Sequence, residues 1–245
     1  MENHWHDIWN NRKINAEALE SGDSQKIVLE LKRLVGWDCQ DKLGGYSGEA
    51  MYRELVKEYH YIKENLQPPP CGSVFEVGCG SGANLYFFRN DGFQVGGSDF
   101  AANLVAVAER VIGRENMIEC FASEAIDLPV DIKYDAVFSG GVFQYFNDFD
   151  YAERVLDRML EKTKYSIGIL RIHDADKEDA FYAFRRAKDK DYDKNYEGLP
   201  KLFFPEDFFK QYATKHKLEV KFDRRHIEGC WNDPFNFNCF MYKVV

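Results

Sequence analysis

The stretch Ser73-Val-Phe-Glu76-Val-Gly78-Cys79-Gly80-Ser81-Gly82-Ala83-Asn84 decides the fold of this 245-residue chain. Val74, Phe75 and Val77 form a short apolar run, the mark of a buried strand. The run passes directly into glycines at every second position, and helical spacing resumes behind them with Leu85 and Phe88 on one face. Strand, glycine turn and helix N-terminus in this order make a nucleotide-binding element. Glycine lets the backbone approach a ligand closely, and a helix N-terminus favours a carboxylate or phosphate.

The glycines alone decide little, because Gly78, Gly80 and Ala83 also satisfy the dinucleotide fingerprint G-x-G-x-x-G/A. Two acids narrow the reading. Glu76 stands at the end of the strand, where an apolar residue is the neutral choice. Phe93-Gln-Val-Gly-Gly-Ser-Asp99-Phe100 reads as a second strand closed by a carboxylate able to accept both hydroxyls of a ribose. An acid, then G-x-G-x-G, then an acid closing strand two resemble the signature of the class I S-adenosylmethionine-dependent methyltransferases. The resemblance implies an α/β fold, a seven-stranded Rossmann-like sheet with helices on both faces. It also implies S-adenosyl-L-methionine as cofactor and S-adenosyl-L-homocysteine as product.

Composition sets bounds on partners. Lys and Arg number 32 against 41 Asp and Glu, a net charge of −9, which argues against a nucleic-acid backbone as the main partner. Hydrophobic residues at 45% supply an ample core, and most of the twenty Phe and fourteen Tyr are expected to pack it. The six cysteines lack C-x-x-C or any metal spacing, and no apolar run reaches membrane-spanning length. The start carries no apolar signal core. Reduced thiols in a cytoplasmic protein are therefore expected, with no metal centre and no membrane insertion. His4 and His6 are read as part of a solvated terminus before a metal pair.

Residues 1–70 read as a helical cover ending in a stiff connector, and 71–245 as the α/β domain. Ser24 is expected to cap a helix with Ile27, Val28, Leu31, Leu34 and Val35 as its stripe, ended by Gly36. A second helix is expected from Ser47, with Met51, Leu55, Tyr59, Ile62 and Leu66 inward. Gln67-Pro-Pro-Pro-Cys-Gly72 stops it, because prolines cannot continue a helix. Beyond lie a helix over 103–112, strands over 117–122, 134–139 and 165–172, and a helix opened by the capping box Asp150-x-x-Glu153. Such alternation implies a parallel sheet.

Pro205-Glu206-Asp207 begins a late helix closed by Lys215, His216 and Lys217, an order that suits the helix dipole. Strands over 218–223 and 237–244 follow. A terminal antiparallel strand inserted in a parallel sheet is how class I methyltransferases end, so the resemblance covers residue 72 to the C-terminus. The N-terminal helices and Trp231–Asn238 look more narrowly like small-molecule methyltransferases of bacterial polysaccharide or secondary-metabolite pathways.

The resemblance also distributes roles. Gly78, Cys79 and Gly80 would carry backbone against the methionine end, with Asn84 at the helix start and Glu76 meeting the ammonium. Asp99 would take the ribose hydroxyls and Phe100 the adenine face. Ser123 or Glu124 would meet the exocyclic amine. Ser139 opens the loop Ser139–Tyr145 beneath the sulfonium, where the family often has His at the place of Gln144 or Tyr145. Gln144 cannot deprotonate, so it orients. Tyr46 is either a lid over the cofactor or a turn tyrosine on the core. Cys79 fills a tight turn, with no base beside it to make it a nucleophile.

A base matters only if the acceptor holds its proton tightly, as a sugar hydroxyl does. His173, in Leu170-Arg171-Ile172-His173-Asp174 just past the fifth strand, is the first candidate, and His226 the second. Asp174 either fixes the His173 tautomer or starts the next turn. Arg171 either neutralises an acidic acceptor or is a salt-bridged strand-end arginine. The expected reaction is methyl transfer to a small polar acceptor, a sugar or sugar-nucleotide hydroxyl first. An N-methyltransferase on a small amine or secondary metabolite, a nicotinamide-dependent reductase and a non-catalytic nucleoside-binding protein are the alternatives. Oligomeric state has no signal in the sequence.

Overall fold

The computed structural model describes residues 5–37, 48–225 and 230–244. The strands are β1 (Ser73–Val77), β2 (Gln94–Asp99), β3 (Met117–Ala122), β4 (Tyr134–Gly140), β5 (Thr163–His173), β6 (Leu218–Asp223) and β7 (Asn236–Lys243). They form one sheet in the order β3-β2-β1-β4-β5-β7-β6. The first five pair in parallel, whereas β7 lies antiparallel between β5 and β6. This is the seven-stranded class I methyltransferase sheet, closing strand included.

The helices are α1 (Trp5–Asn10), α2 (Ala16–Leu19), α3 (Ser24–Leu34), α4 (Gly48–Leu66), α5 (Ala83–Asn90), α6 (Ala102–Ile112), α7 (Phe149–Lys162), α8 (Glu178–Lys188), α9 (Tyr192–Asn195) and α10 (Glu206–His216). Side chains alternate across each strand, so the sheet feeds two cores. Phe75 and Val77 of β1 join Val155 and Met159 of α7 and Phe209 of α10 on one face. Val74 joins Ile62 and Leu66 of α4, Leu85 of α5 and Ala108 of α6 on the other. The N-terminal cover therefore shares the core of the sheet. Its α3 packs Leu31 and Leu34 against Ala83, Leu104 and Val107.

Two caps differ from the sequence reading. Asp23, not Ser24, caps α3, its carboxylate accepting from Gln25 N at 2.9 Å. Asp148, not Asp150, caps α7 and accepts from Tyr151 N at 2.7 Å. In each case an acid just upstream has the extended backbone that a cap needs, and the expected residue falls inside the first turn. Strand β5 also runs further than expected, so His173 is its last residue. Helices α8 and α9 are additions that sequence periodicity did not show. No helix among the described residues is long and apolar enough to cross a membrane.

Candidate cofactor and acceptor site

Neighbouring strands β1 and β2 end side by side, with Glu76 paired to Gly97 and Val77 to Ser98. The parallel order reverses between β1 and β4, where such sheets open a crevice at their carboxyl ends. A cavity of about 520 Å³ lies there.

The glycine turn is built for close approach. Gly78 and Gly80 have φ of 72° and 52°, in the left-handed region. A Cβ on Gly80 would come 2.4 Å from Val35 Cγ1, and one on Gly78 would come 2.3 Å from Val142 Cγ2. The turn's N–H groups, expected to face the ligand, are spent within the fold. Gly78 N and Cys79 N donate to Ser98 O at 2.8 and 2.9 Å, and Gly80 N donates to Asp99 Oδ2 at 2.8 Å. Asp99 Oδ1 accepts from Ala101 N at 2.8 Å. These bonds hold the Asp99 carboxylate at the cavity wall.

Glu76 is buried against the cavity. Its Oε1 accepts from Asn84 Nδ2 at 2.6 Å, and its Oε2 is enclosed with no partner. Burial raises its pKa to about 8, against the opposing Asn84 bond and Lys32 charge. Asn84 Oδ1 in turn accepts from the buried Lys32 Nζ at 3.1 Å, which lies 4.0 Å from Glu58. Burial lowers the Lys32 pKa although Glu58 attracts its charge. Burial pushes the Glu58 carboxyl upward, but Arg171 and Lys32 outweigh it and hold the group below its usual value. Arg171 pairs with Glu58, which settles it as a salt-bridged arginine.

Of the other expected residues, Phe100, Ser123, Glu124, Gln144, Tyr145 and His173 also line the cavity. Ser123 Oγ donates to Glu124 O at 3.0 Å, while the exposed Glu124 carboxylate lies 3.3 Å from Tyr151 Oη. Gln144 Nε2 donates to Gly141 O at 2.7 Å, leaving its buried Oε1 without a partner. Ser139 is fully buried in β4 with its Oγ unpartnered, and it lies outside the cavity lining although its register neighbour Val77 is part of it. Cys79 is a buried thiol whose pKa is pushed well up by the Cys120 side chain and by burial, so no thiolate is available. The side chains of His4 and His6, with Tyr46 and His226, lie outside the described residues.

His173 is buried, its ring between Phe181 and Phe203 with centroids 4.9 and 5.0 Å away. Its Nδ1 has no hydrogen-bond partner. Burial first, then Lys201 and Arg185, hold its pKa well below 6.5, so the ring is neutral at neutral pH. Asp174 does not fix its tautomer. That carboxylate starts the next turn, accepting from Asp176 N at 3.0 Å and pairing with Arg224.

Sequence reasoning missed Lys32 beside Glu76, and it missed Arg185, Tyr196, Lys201 and Trp231 at the far end. A signal existed for α8: acids Glu178 and Asp179 in its first turn, and Arg185, Arg186 and Lys188 in its last. No group of His, Cys, Asp or Glu suited to a metal occurs among the described residues.

Residues 75–167 match the family described as a methyltransferase domain. The peramine synthetase of Metarhizium rileyi is 26% identical over 151 residues, 57% of this chain and 5% of that protein. The chain thus spans a small fraction of the curated relatives it matches. Among solved structures, the magnesium protoporphyrin IX methyltransferase of Synechocystis with bound S-adenosylmethionine aligns with TM-score 0.56 and 14% identity, over 91% of this chain and 98% of its own. An amino pentose methyltransferase from Micromonospora echinaspora, also with that cofactor bound, gives 0.59 and 11%, over 80% and 96%. These structural likenesses speak for the fold.

Proposed function

We propose, for a chain that belongs to the class I S-adenosylmethionine-dependent methyltransferases, that it transfers a methyl group to a small polar acceptor, first a hydroxyl of a sugar or sugar nucleotide. The observation that carries this reading is the orphaned Glu76 Oε2, enclosed at a cavity whose rim also holds Asp99. A buried carboxyl oxygen without a donor suits an incoming ammonium, and the cofactor's amino-acid end has one.

The residues fit that cofactor. Glu76 would hold the ammonium, Asp99 the ribose hydroxyls, Phe100 the adenine face, and Ser123 or Glu124 the exocyclic amine. The turn needs glycine at Gly78 and Gly80, where a Cβ would run into Val142 and Val35 at the cavity edge. When bound, the cofactor supplies an electrophilic methyl carbon. The chain's own part is to align the acceptor for in-line attack, a contribution of about 7–11 kcal/mol in favourable cases. Gln144 and Tyr145 orient the acceptor, and neutral His173 accepts the hydroxyl proton as the new bond forms.

An amine acceptor is the second reading. The depressed basicity of His173 favours it, since an amine already deprotonated needs no base. The amino pentose methyltransferase neighbour acts on an acceptor with both kinds of group. A cytoplasmic setting in a bacterial polysaccharide or secondary-metabolite pathway belongs to this proposal, supported by the free cysteines of the described residues. Incubating the protein with S-adenosylmethionine and a panel of sugar nucleotides and amines, and following S-adenosylhomocysteine, tests it. Turnover with a hydroxyl acceptor supports the first reading. Turnover with amines alone supports the second, and none with any acceptor opposes both.

A further inference from the structure

Arg185 is the unusual cation of this molecule. It sits in the last turn of α8, is 8% exposed and lines the cavity. Its guanidinium carbon lies 4.6 Å from the ring centroid of Tyr192 and 5.0 Å from those of Tyr196 and Trp231. Three aromatic faces hold the plane of the fork and strip it of water. Among the described residues no hydrogen bond or ion pair to its side chain occurs, and its Nε is an enclosed donor with no acceptor. Arg171, in the same cavity, shows the contrast, because Glu58 neutralises it.

A second orphan stands beside the first. Trp231 Nε1 is also an enclosed donor with no acceptor, and its ring is fixed by parallel stacking on Phe184 at 5.8 Å. A buried guanidinium without a counter-ion is a costly arrangement, and it becomes favourable once a planar anion completes it. Two unmatched donors at one end of a cavity call for a ligand made of acceptors. The opposite end, at Glu76, calls for a cation. The cavity is therefore polarised along its length.

We propose that the methyl acceptor carries an oxyanion group, a carboxylate or a phosphate, and that the Arg185 guanidinium takes it within the Tyr192–Tyr196–Trp231 cage. This rests on the methyltransferase reading and names the chemical class of its acceptor. Arg185 is then a specificity-determining residue that fixes the acceptor from the side away from the cofactor. The positive end also acts on His173, whose proton affinity Arg185 and Lys201 both reduce. An anion bound at Arg185 restores part of that basicity, so acceptor binding prepares the residue that receives its proton.

The test is a calorimetric titration of the full chain, saturated with S-adenosylhomocysteine, with acetate, methyl phosphate and neutral acetamide. Saturable binding of acetate or methyl phosphate, at least tenfold tighter than acetamide, is expected in the wild type. The tighter of the two anions tells a carboxylate acceptor from a phosphate one. Arg185→Gln should abolish the preference while leaving S-adenosylhomocysteine affinity within twofold. Arg185→Lys, which keeps the charge and loses the fork, should retain only part of it. Equal binding of anions and acetamide by the wild type overturns the proposal, whether or not the variants fold. So does an undiminished preference in a folded Arg185→Gln. Failure of the wild type to bind S-adenosylhomocysteine overturns the methyltransferase reading instead.

Discussion

Asn84 donates its side-chain amide to Glu76 Oε1 at 2.6 Å and leaves the other oxygen of that carboxyl enclosed and unpartnered. The pair prepares a carboxyl group that burial keeps protonated, with a pKa near 8 against an ordinary 4.5. A cationic ligand favours the ionised form. Binding of S-adenosylhomocysteine at pH 7 is therefore expected to release a proton. Titrations in buffers of different ionisation enthalpy should give apparent heats that vary with the buffer, and Glu76→Gln should remove the dependence. Buffer-independent heat in the wild type would deny Glu76 this role.

The same shift has a sign for stability. Unfolded, Glu76 ionises from about pH 4.5, whereas folded it keeps its proton to about pH 8. Between those values the folded state binds more protons, so this group's contribution to stability falls as pH rises. His173 acts below its ordinary pKa of 6.5. There the unfolded ring charges while the folded one stays neutral, so stability drops as pH falls below that value. Urea unfolding of His173→Gln should show a shallower loss of stability below pH 6.5 than the wild type. Parallel curves would mean that the ring titrates alike in both states.

If the acceptor is a hydroxyl, His173→Ala should lower turnover by about 10²–10⁴-fold, the usual contribution of a positioned base. Affinity for S-adenosylhomocysteine should stay unchanged in the same variant. Unaltered turnover would remove His173 from the chemistry and favour the amine reading.

Gly80 reports on the glycine turn. Its φ of 52° costs an L-residue about 1–2 kcal/mol. A methyl there also meets Val35 Cγ1 at 2.4 Å, an overpacking worth roughly 1–3 kcal/mol. Gly80→Ala should therefore lower unfolding free energy by at least about 2 kcal/mol. Adding Val35→Ala should recover only the packing part, measured by the urea midpoint at constant slope. No loss in the single variant would show that the turn is looser than its geometry.

Much of this fold could be read in advance because its signals are local. The strand carrying Glu76, the strand ending in Asp99 and the run Met117–Ala122 each carry their own apolar pattern and terminator. The caps went to Ser24 and Asp150 because Asp23 and Asp148 are equally good cap residues, and sequence does not choose between near neighbours. The loop motif Ser139–Tyr145 marks a neighbourhood, while packing that sequence does not show decides which of its side chains line the cavity. The far end of the cavity was illegible for a different reason. Arg185, Lys201 and Trp231 are far apart in sequence and meet only through packing.

The central claim is that the cavity between Glu76 and Asp99 binds the nucleoside cofactor, and calorimetric titration with S-adenosylhomocysteine tests it most directly. The account predicts saturable one-to-one binding that Asp99→Ala weakens by about 1–3 kcal/mol, the cost of losing charge-assisted hydrogen bonds. The variant should also melt earlier, since Asp99 accepts from Gly80 N and Ala101 N. No saturable binding by the wild type, or equal affinity in the folded variant, would contradict it.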